Sequence, residues 1–438
     1  MGVNEWCELS VNINITPAAR HRYEQRYLKQ VRRECGTLYT EGVDQVSAPM
    51  TDVFVMLEAV ETLPRRMRAD ISPLTRERAE EIGLDRCNAS GMGREAQEKQ
   101  FWSEAEPSPR VPLSRALQEH RHLVILGDSG SGKTTTLQFI ALCFATEGWG
   151  REKLGLDEAR VPIRVELREY GGSEPLGELL VRAVAHLGQF KPLSAQLSQD
   201  IARSLLESWM AEGRLIVLLD GLDEVPETRR STVAEAITRF ARTDEGHRCR
   251  IVVTARTAGY RATRELGEPF GCYEIRPFTG PDDALPYAAG WLKAIAELEE
   301  EEEAQIRAQA LLEKMEQQGG LRRVMGNPLL LRLVVALYHE RGELVQSRAE
   351  LYRRYVDEVL KKREQSRGTE DTRWNNRQIE SALDTIAWTL QTEGPKTIAE
   401  LARVVERQVE DVDNGEVLVG YLRERLGLLQ PMILNKRR

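Results

Sequence analysis

Between His122 and Thr135 the chain passes from an apolar stretch, His122 to Leu126, straight into Gly127, Asp128, Ser129, Gly130, Ser131, Gly132, Lys133, Thr134 and Thr135. This completes the pattern Gly-x-x-x-x-Gly-Lys-Ser/Thr, with Gly130 as an extra flexible point. Glycines let a backbone wrap closely around an anion, so that successive N–H groups point inward at it. Lys133 adds a cation for the β- and γ-phosphates, and the Thr134 hydroxyl can ligate Mg²⁺. The apolar positions Leu137, Ile140, Ala141 and Phe144 predict a following helix, whose positive end faces the same anion. Strand, phosphate loop and helix in that order demand an α/β fold, and they predict a bound nucleoside triphosphate.

A second stretch narrows the chemistry. Leu215 to Leu219 is a short continuous apolar run, as expected of a buried parallel strand, and Asp220 stands at its carboxyl end. Ligand chemistry in open α/β sheets gathers there, which suits a carboxylate holding Mg²⁺ directly or through water. Asp223 and Glu224 follow; either could orient or deprotonate the water that attacks a γ-phosphate. An acidic surface loop would look the same in isolation. In a chain that already has a phosphate loop, the acids point to metal and water handling.

The run of apolar residues, Asp220, Gly221, Leu222, Asp223 and Glu224 resembles the NACHT family of STAND ATPases, signalling relatives of the AAA+ machines. Further matches come in the family's order. The stretch 161–167, with Pro162 near its start, resembles the second strand. The stretch 250–256 resembles the sensor 1 strand, with Arg256 placed to feel the γ-phosphate. Residues 275–278 resemble the exit into a helical domain. Gly326, Asn327 and Pro328 resemble the Gly-x-Pro motif, whose proline lies against the adenine. The resemblance spans roughly 111–434 and implies an ATP/ADP-bound, Mg²⁺-dependent ATPase of slow turnover. Such a protein acts as a conformational switch that self-associates on activation, with an unknown trigger and effector; prokaryotic relatives suggest antiphage defence. Two other classes share the phosphate loop. An AAA+-type motor needs pore loops, and no aromatic-glycine pattern of that kind stands out. A nucleotide-stabilised scaffold would not need Lys133, Asp220 and Glu224 intact.

Beyond 111 the apolar strands at 122–126, 161–167, 215–219 and 250–254 alternate with helical stretches such as 176–187 and 201–211, which predicts a parallel sheet covered on both faces. The expected layout is an N-terminal helix and strand region over 1–63, a polar connector over 64–110, an α/β nucleotide-binding domain over 111–280, a helical domain over 281–345 and a partial winged helix over 346–438. Thr16 and Pro17 start the first helix and Gly36 stops it. Val53, Val55 and Leu57 alternate as a strand that docks on a neighbouring domain. The connector is polar and expected to be partly disordered. Glu299 to Glu303 read as the solvated side of a helix, and Pro328 begins another with Leu330, Leu333, Val334 and Leu337 on its buried stripe. Four helical segments lie between 347 and 426, and 428–434 resembles the start of a β-wing. No histidine follows His339, so the family's ADP-clamping histidine has no counterpart, and the winged helix is expected to be truncated.

Bulk composition excludes some partners. Charged residues make up 30% and hydrophobic residues 41%, an ordinary globular balance, while a net charge of −8 disfavours nucleic acid as a default partner. The basic residues between Arg20 and Arg33 are interleaved with glutamates and read as a solvated helix face. Six scattered cysteines without Cys-x-x-Cys spacing suggest reduced thiols and a cytoplasmic protein. His120 and His122 read as framing a surface turn, and no run reaches membrane-spanning length.

Overall fold

The predominantly apolar runs at 122–126, 215–219 and 250–254 become strands whose residues are all buried, because a parallel sheet covered on both faces has no solvent side. The computed structural model describes residues 15–39, 47–62, 109–170, 174–188, 195–225, 227–257, 260, 266–365, 374–394 and 396–424. The chain divides into two compact units, Met1–Thr37 with Pro49–Pro277, and Leu38–Ala48 with Phe278–Arg438.

Among the described residues the first unit is built on a seven-stranded sheet. Its strands are β1 (Glu58–Glu61), β2 (Arg110–Pro112), β3 (His122–Leu126), β4 (Val161–Glu166), β5 (Leu215–Asp220), β6 (Arg250–Ala255) and β7 (Gly271–Ile275). Their spatial order is β2-β1-β7-β3-β6-β5-β4. The last five are parallel, and β1 pairs antiparallel with both β7 and β2. Strand β6 therefore lies between the strand leading to the phosphate loop and the strand ending in Asp220. Pro112 and Pro162 sit in the two edge strands, where a missing N–H costs no ladder bond.

The strand expected at 53–57 lies instead at β1. Met50–Val53 is a helical turn that buries Met50 and Val53 on one face, the helical i, i+3 spacing. Phe54 then stacks on Phe139 with ring centroids 3.8 Å apart, and Leu57 is buried. These residues and the N-terminal helix α1 (Pro17–Cys35) belong to the same compact unit as the sheet. Thr16 caps α1, and Glu24, Tyr27, Val31 and Cys35 form its buried face. Tyr27 donates to the Pro162 carbonyl at 2.8 Å, and Glu24 accepts from Trp209 at 2.8 Å while pairing with Arg214. Arg22, Arg26, Lys29 and Arg33 stay exposed, the solvated face expected of them.

His122 differs from its expected surface place: it is buried in β3, its Nε2 is 3.1 Å from the Gly246 carbonyl, and burial holds its pKa down. A strand in the middle of a two-sided sheet leaves it no route to solvent. Cys35, Cys143, Cys249 and Cys272 are free and buried. No helix among the described residues is long and apolar enough to cross a membrane.

The second unit is helical. It contains Pro281–Ile295, Glu301–Gln317, Gly319–Met325, Pro328–Arg341, Arg348–Gln365, Asn376–Glu393, Ile398–Gln408 and Gly415–Glu424. Glu301, Glu302 and Glu303 are exposed in a first helical turn, where carboxylates complement the helix dipole. Reciprocal capping boxes, Asn375 with Gln378 and Thr397 with Glu400, open two of the later helices. The last three pack around Ile379, Ile386, Leu401, Val405, Leu418 and Leu422. The segment 428–434 and nearly all of the connector (64–108 of 64–110) lie outside the described residues.

Candidate nucleotide site

The phosphate loop joins β3 to helix α2 (Lys133–Ala145), which begins at Lys133 as the spacing requires. Gly130 and Gly132 have φ of 75° and 93°, the left-handed region open to glycine. A Cβ on Gly127 would meet the Ser131 hydroxyl at 2.5 Å, and one on Gly132 would meet Leu57 at 2.9 Å. Conformation thus favours glycine at 130 and 132, and a side chain at 127 or 132 would have to displace the Ser131 hydroxyl or Leu57. Ser131 Oγ is buried without a protein partner, and Thr134 stands exposed in the first turn of α2. Lys133 Nζ donates to the carbonyls of Gly127 (2.7 Å) and Asp128 (2.8 Å). Burial lowers its pKa, with Asp223 the main opposing charge.

Asp220 and Asp223 are buried and Glu224 is exposed. Thr254, on the intervening strand β6, donates to Asp220 Oδ1 at 2.5 Å and accepts from the Gly221 N–H at 2.9 Å. Sequence reasoning missed Thr254, although a lone hydroxyl inside a predominantly apolar run must find a partner when buried. Asp223 is held by Arg256 through both carboxylate oxygens: the Arg256 N–H donates to Oδ1 at 2.9 Å, and Nε lies 3.0 Å from Oδ2. Arg230, buried and also missed, donates to the carbonyls of Asp223 and Val225, each at 2.8 Å. The pKa of Glu224 is raised, first by burial of its flank and then by the charges of Asp223 and Asp220.

The sequence-predicted residues 127–135, 220, 223, 224 and 256 thus gather at the carboxyl ends of β3, β5 and β6 in one unit. Pro328 is buried at the first position of its helix in the other unit. Residues 121–293 match the model of the NACHT domain. The chain carries a NACHT domain. Its parallel strands, phosphate loop and Asp220 make it a P-loop NTPase fold able to bind a nucleotide. The donor set also fits Mg²⁺: a threonine hydroxyl and a carboxylate are hard oxygen ligands. The described residues contain no group of three or more His, Cys, Asp and Glu that could hold a metal.

No curated protein matches the chain. Among solved structures, Cdc6p from Pyrobaculum aerophilum is similar at 14% identity and a TM-score of 0.30, over 70% of this chain and 79% of that one, a likeness too weak to reason from.

Proposed function

We propose that this NACHT-bearing chain is an ATP-binding, Mg²⁺-dependent signalling NTPase that works as a nucleotide-controlled switch. The observation that carries the proposal is the pairing of the site's two cations. Lys133 is held by loop carbonyls and Arg256 by Asp223. A γ-phosphate offers Lys133 a charge-assisted partner in place of neutral carbonyls and competes with the Asp223 carboxylate for Arg256. Drawing Arg256 toward it would release Asp223 and load the turn that Arg230 clamps. ADP offers no such partner and leaves Arg256 where it is. That difference in contacts is what allows a ligand to shift a conformational equilibrium.

Thr134 and Asp220 would hold Mg²⁺, which neutralises charge on the phosphate oxygens when bound. Glu224 is the better candidate for general base, because it is exposed and its raised pKa brings it nearer to neutral pH. Asp223, with both oxygens engaged by Arg256, serves as the anchor of the sensing arginine. Self-association on activation, with a trigger and effector of unknown identity, completes the proposal. Antiphage defence is the setting suggested by the family resemblance.

The test combines two measurements on the full chain. Nucleotide released by denaturation is identified by chromatography, and mass in solution is followed by light scattering for Glu224→Gln loaded with ADP or with ATP and Mg²⁺. Near-stoichiometric nucleotide, lost in Lys133→Ala, together with a larger particle in ATP than in ADP, is the expected result. Identical behaviour in both nucleotides would sink the switch. An empty site that ATP cannot fill would sink nucleotide binding itself.

A further inference from the structure

The register of the outer strands places a third ionic group beside the metal-facing carboxylate. Glu166 on β4 is the Cα partner of Asp220 on β5, so the two side chains emerge on one face of the sheet. Arg164, two residues earlier on β4, shares that face. Its Nη1 lies 3.8 Å from Asp220 Oδ2 and 3.5 Å from Glu166 Oε1, yet it is buried and makes no hydrogen bond. Arg168 holds the other oxygen of Glu166 at 2.5 Å. Thr254 occupies Oδ1 of Asp220, and Oδ2 faces the Arg164 guanidinium.

Charge counting gives this arrangement a consequence. The carboxylates of Asp220, Glu166, Asp223 and Glu224 are matched by Arg164, Arg168, Arg256 and Lys133, so the site is near neutral without any metal. A buried carboxylate requires such a counter-charge. A divalent cation arriving alone would add two uncompensated charges against a guanidinium already at Oδ2. A metal arriving with a triphosphate brings its own anionic oxygens. Arg164 has no hydrogen bond at Nη1 to surrender, so only its ionic contact must yield.

We propose that Arg164 is the resident counter-ion of Asp220, a positioning residue that keeps free divalent metal off this carboxylate and cedes it only to a metal accompanied by nucleotide. The proposal rests on Asp220 being the metal-facing carboxylate. It makes metal entry conditional on triphosphate without any moving lid.

Mn²⁺ is the probe, titrated into nucleotide-free full-length protein and read by electron paramagnetic resonance, then repeated with ATP present. Arg164→Met is expected to bind Mn²⁺ about tenfold more tightly than wild type when nucleotide is absent, a modest share of the repulsion between charges about 4 Å apart. Arg164→Lys keeps the charge and stays near wild type, and Asp220→Asn added to Arg164→Met abolishes the gain. With ATP present the difference between wild type and Arg164→Met shrinks. Unchanged nucleotide-free affinity in Arg164→Met overturns the proposal while leaving Asp220 as ligand intact. Failure of wild type to take Mn²⁺ even with ATP overturns both. Circular dichroism checks folding; if Arg164→Met does not fold, Arg164→Gln takes its place in the same titrations and is read by the same criteria.

Discussion

Thr254 donates a hydrogen bond to Asp220 across neighbouring strands at 2.5 Å, and the same oxygen accepts the Gly221 N–H at 2.9 Å. One buried hydroxyl thereby fixes both the carboxylate and the left-handed glycine that starts the acidic turn, at φ 77°. Replacing Thr254 by Val keeps the shape and removes both bonds. The expected loss is about 1–3 kcal/mol in urea unfolding, the usual penalty for leaving buried polar groups unpaired. Affinity for Mg²⁺-ATP should fall with it, and Thr254→Ser should recover most of both.

Lys133 makes its two hydrogen bonds to carbonyls of its own loop, groups that water can also serve. Lys133→Ala should therefore change unfolding stability by less than about 1 kcal/mol, in the range of an ordinary net hydrogen bond. Nucleotide affinity measured by calorimetry should fall by about a hundredfold or more, since the partner lost there is charge-assisted. A large loss of stability with unchanged affinity would make the lysine a structural brace.

Asp223 and Glu224 are adjacent in sequence but differently placed, and their variants should separate. Glu224→Gln should retain ATP binding and lower turnover at least about a hundredfold, within the usual contribution of a general base. Asp223→Asn should weaken the Arg256 contact, altering stability and the preference for ATP over ADP. Because the base works deprotonated and the pKa of Glu224 is raised, activity should rise with pH along an acid limb lying above the ordinary carboxylate value of 4.5. A flat profile in that range would remove Glu224 from the role.

Gly132 combines φ of 93° with Leu57 packed where a side chain would go. Gly132→Ala should cost about 1–3 kcal/mol, the usual size of a strained left-handed residue. Leu57→Ala in the same chain should relieve the contact and leave the backbone strain. Partial recovery of the melting temperature would separate the two causes.

The phosphate loop, the strand before it and Asp220 were legible because each is local: a few consecutive residues dictate a backbone path and a charge. Central strands were legible from predominantly apolar runs. The strand read at 53–57 misled because Val53 and Leu57 are both buried, four residues apart, but by the end of a helical turn and an extended approach and not by one strand. Thr254, Arg230 and Arg164 matter through residues 34, 7 and 56 positions away, Asp220 for the outer two and Asp223 for Arg230. Pairings across strands depend on sheet order, which no local pattern encodes. The antiparallel pairing of β1 with β7 escaped for the same reason.

At the opposite end of the sheet, Glu158 pairs with Arg160 and accepts from Arg250 Nε at 2.9 Å. Arg250 goes on to the carbonyls of Leu117 (2.6 Å) and His120 (3.0 Å), and Arg160 to those of Gly213, Leu215 and Arg248, each at 3.0 Å. The cluster ties together the amino ends of β3, β5 and β6. Burial would raise the pKa of Glu158, but the hydrogen bonds from Arg250 and Arg160 outweigh it and hold the group at about 2. In the unfolded chain it titrates near 4.5. The folded state therefore binds fewer protons between those values, and the stabilisation is complete above 4.5 and disappears as pH falls toward 2. Glu158 remains part-exposed, so solvent screening limits the effect to about 1 kcal/mol. Glu158→Gln should be less stable than wild type by that amount in urea at about pH 7, and the gap should narrow below pH 4.5 and close only near pH 2. A gap that persists unchanged in acid would mean that the cluster stabilises through packing and not through the carboxylate's charge.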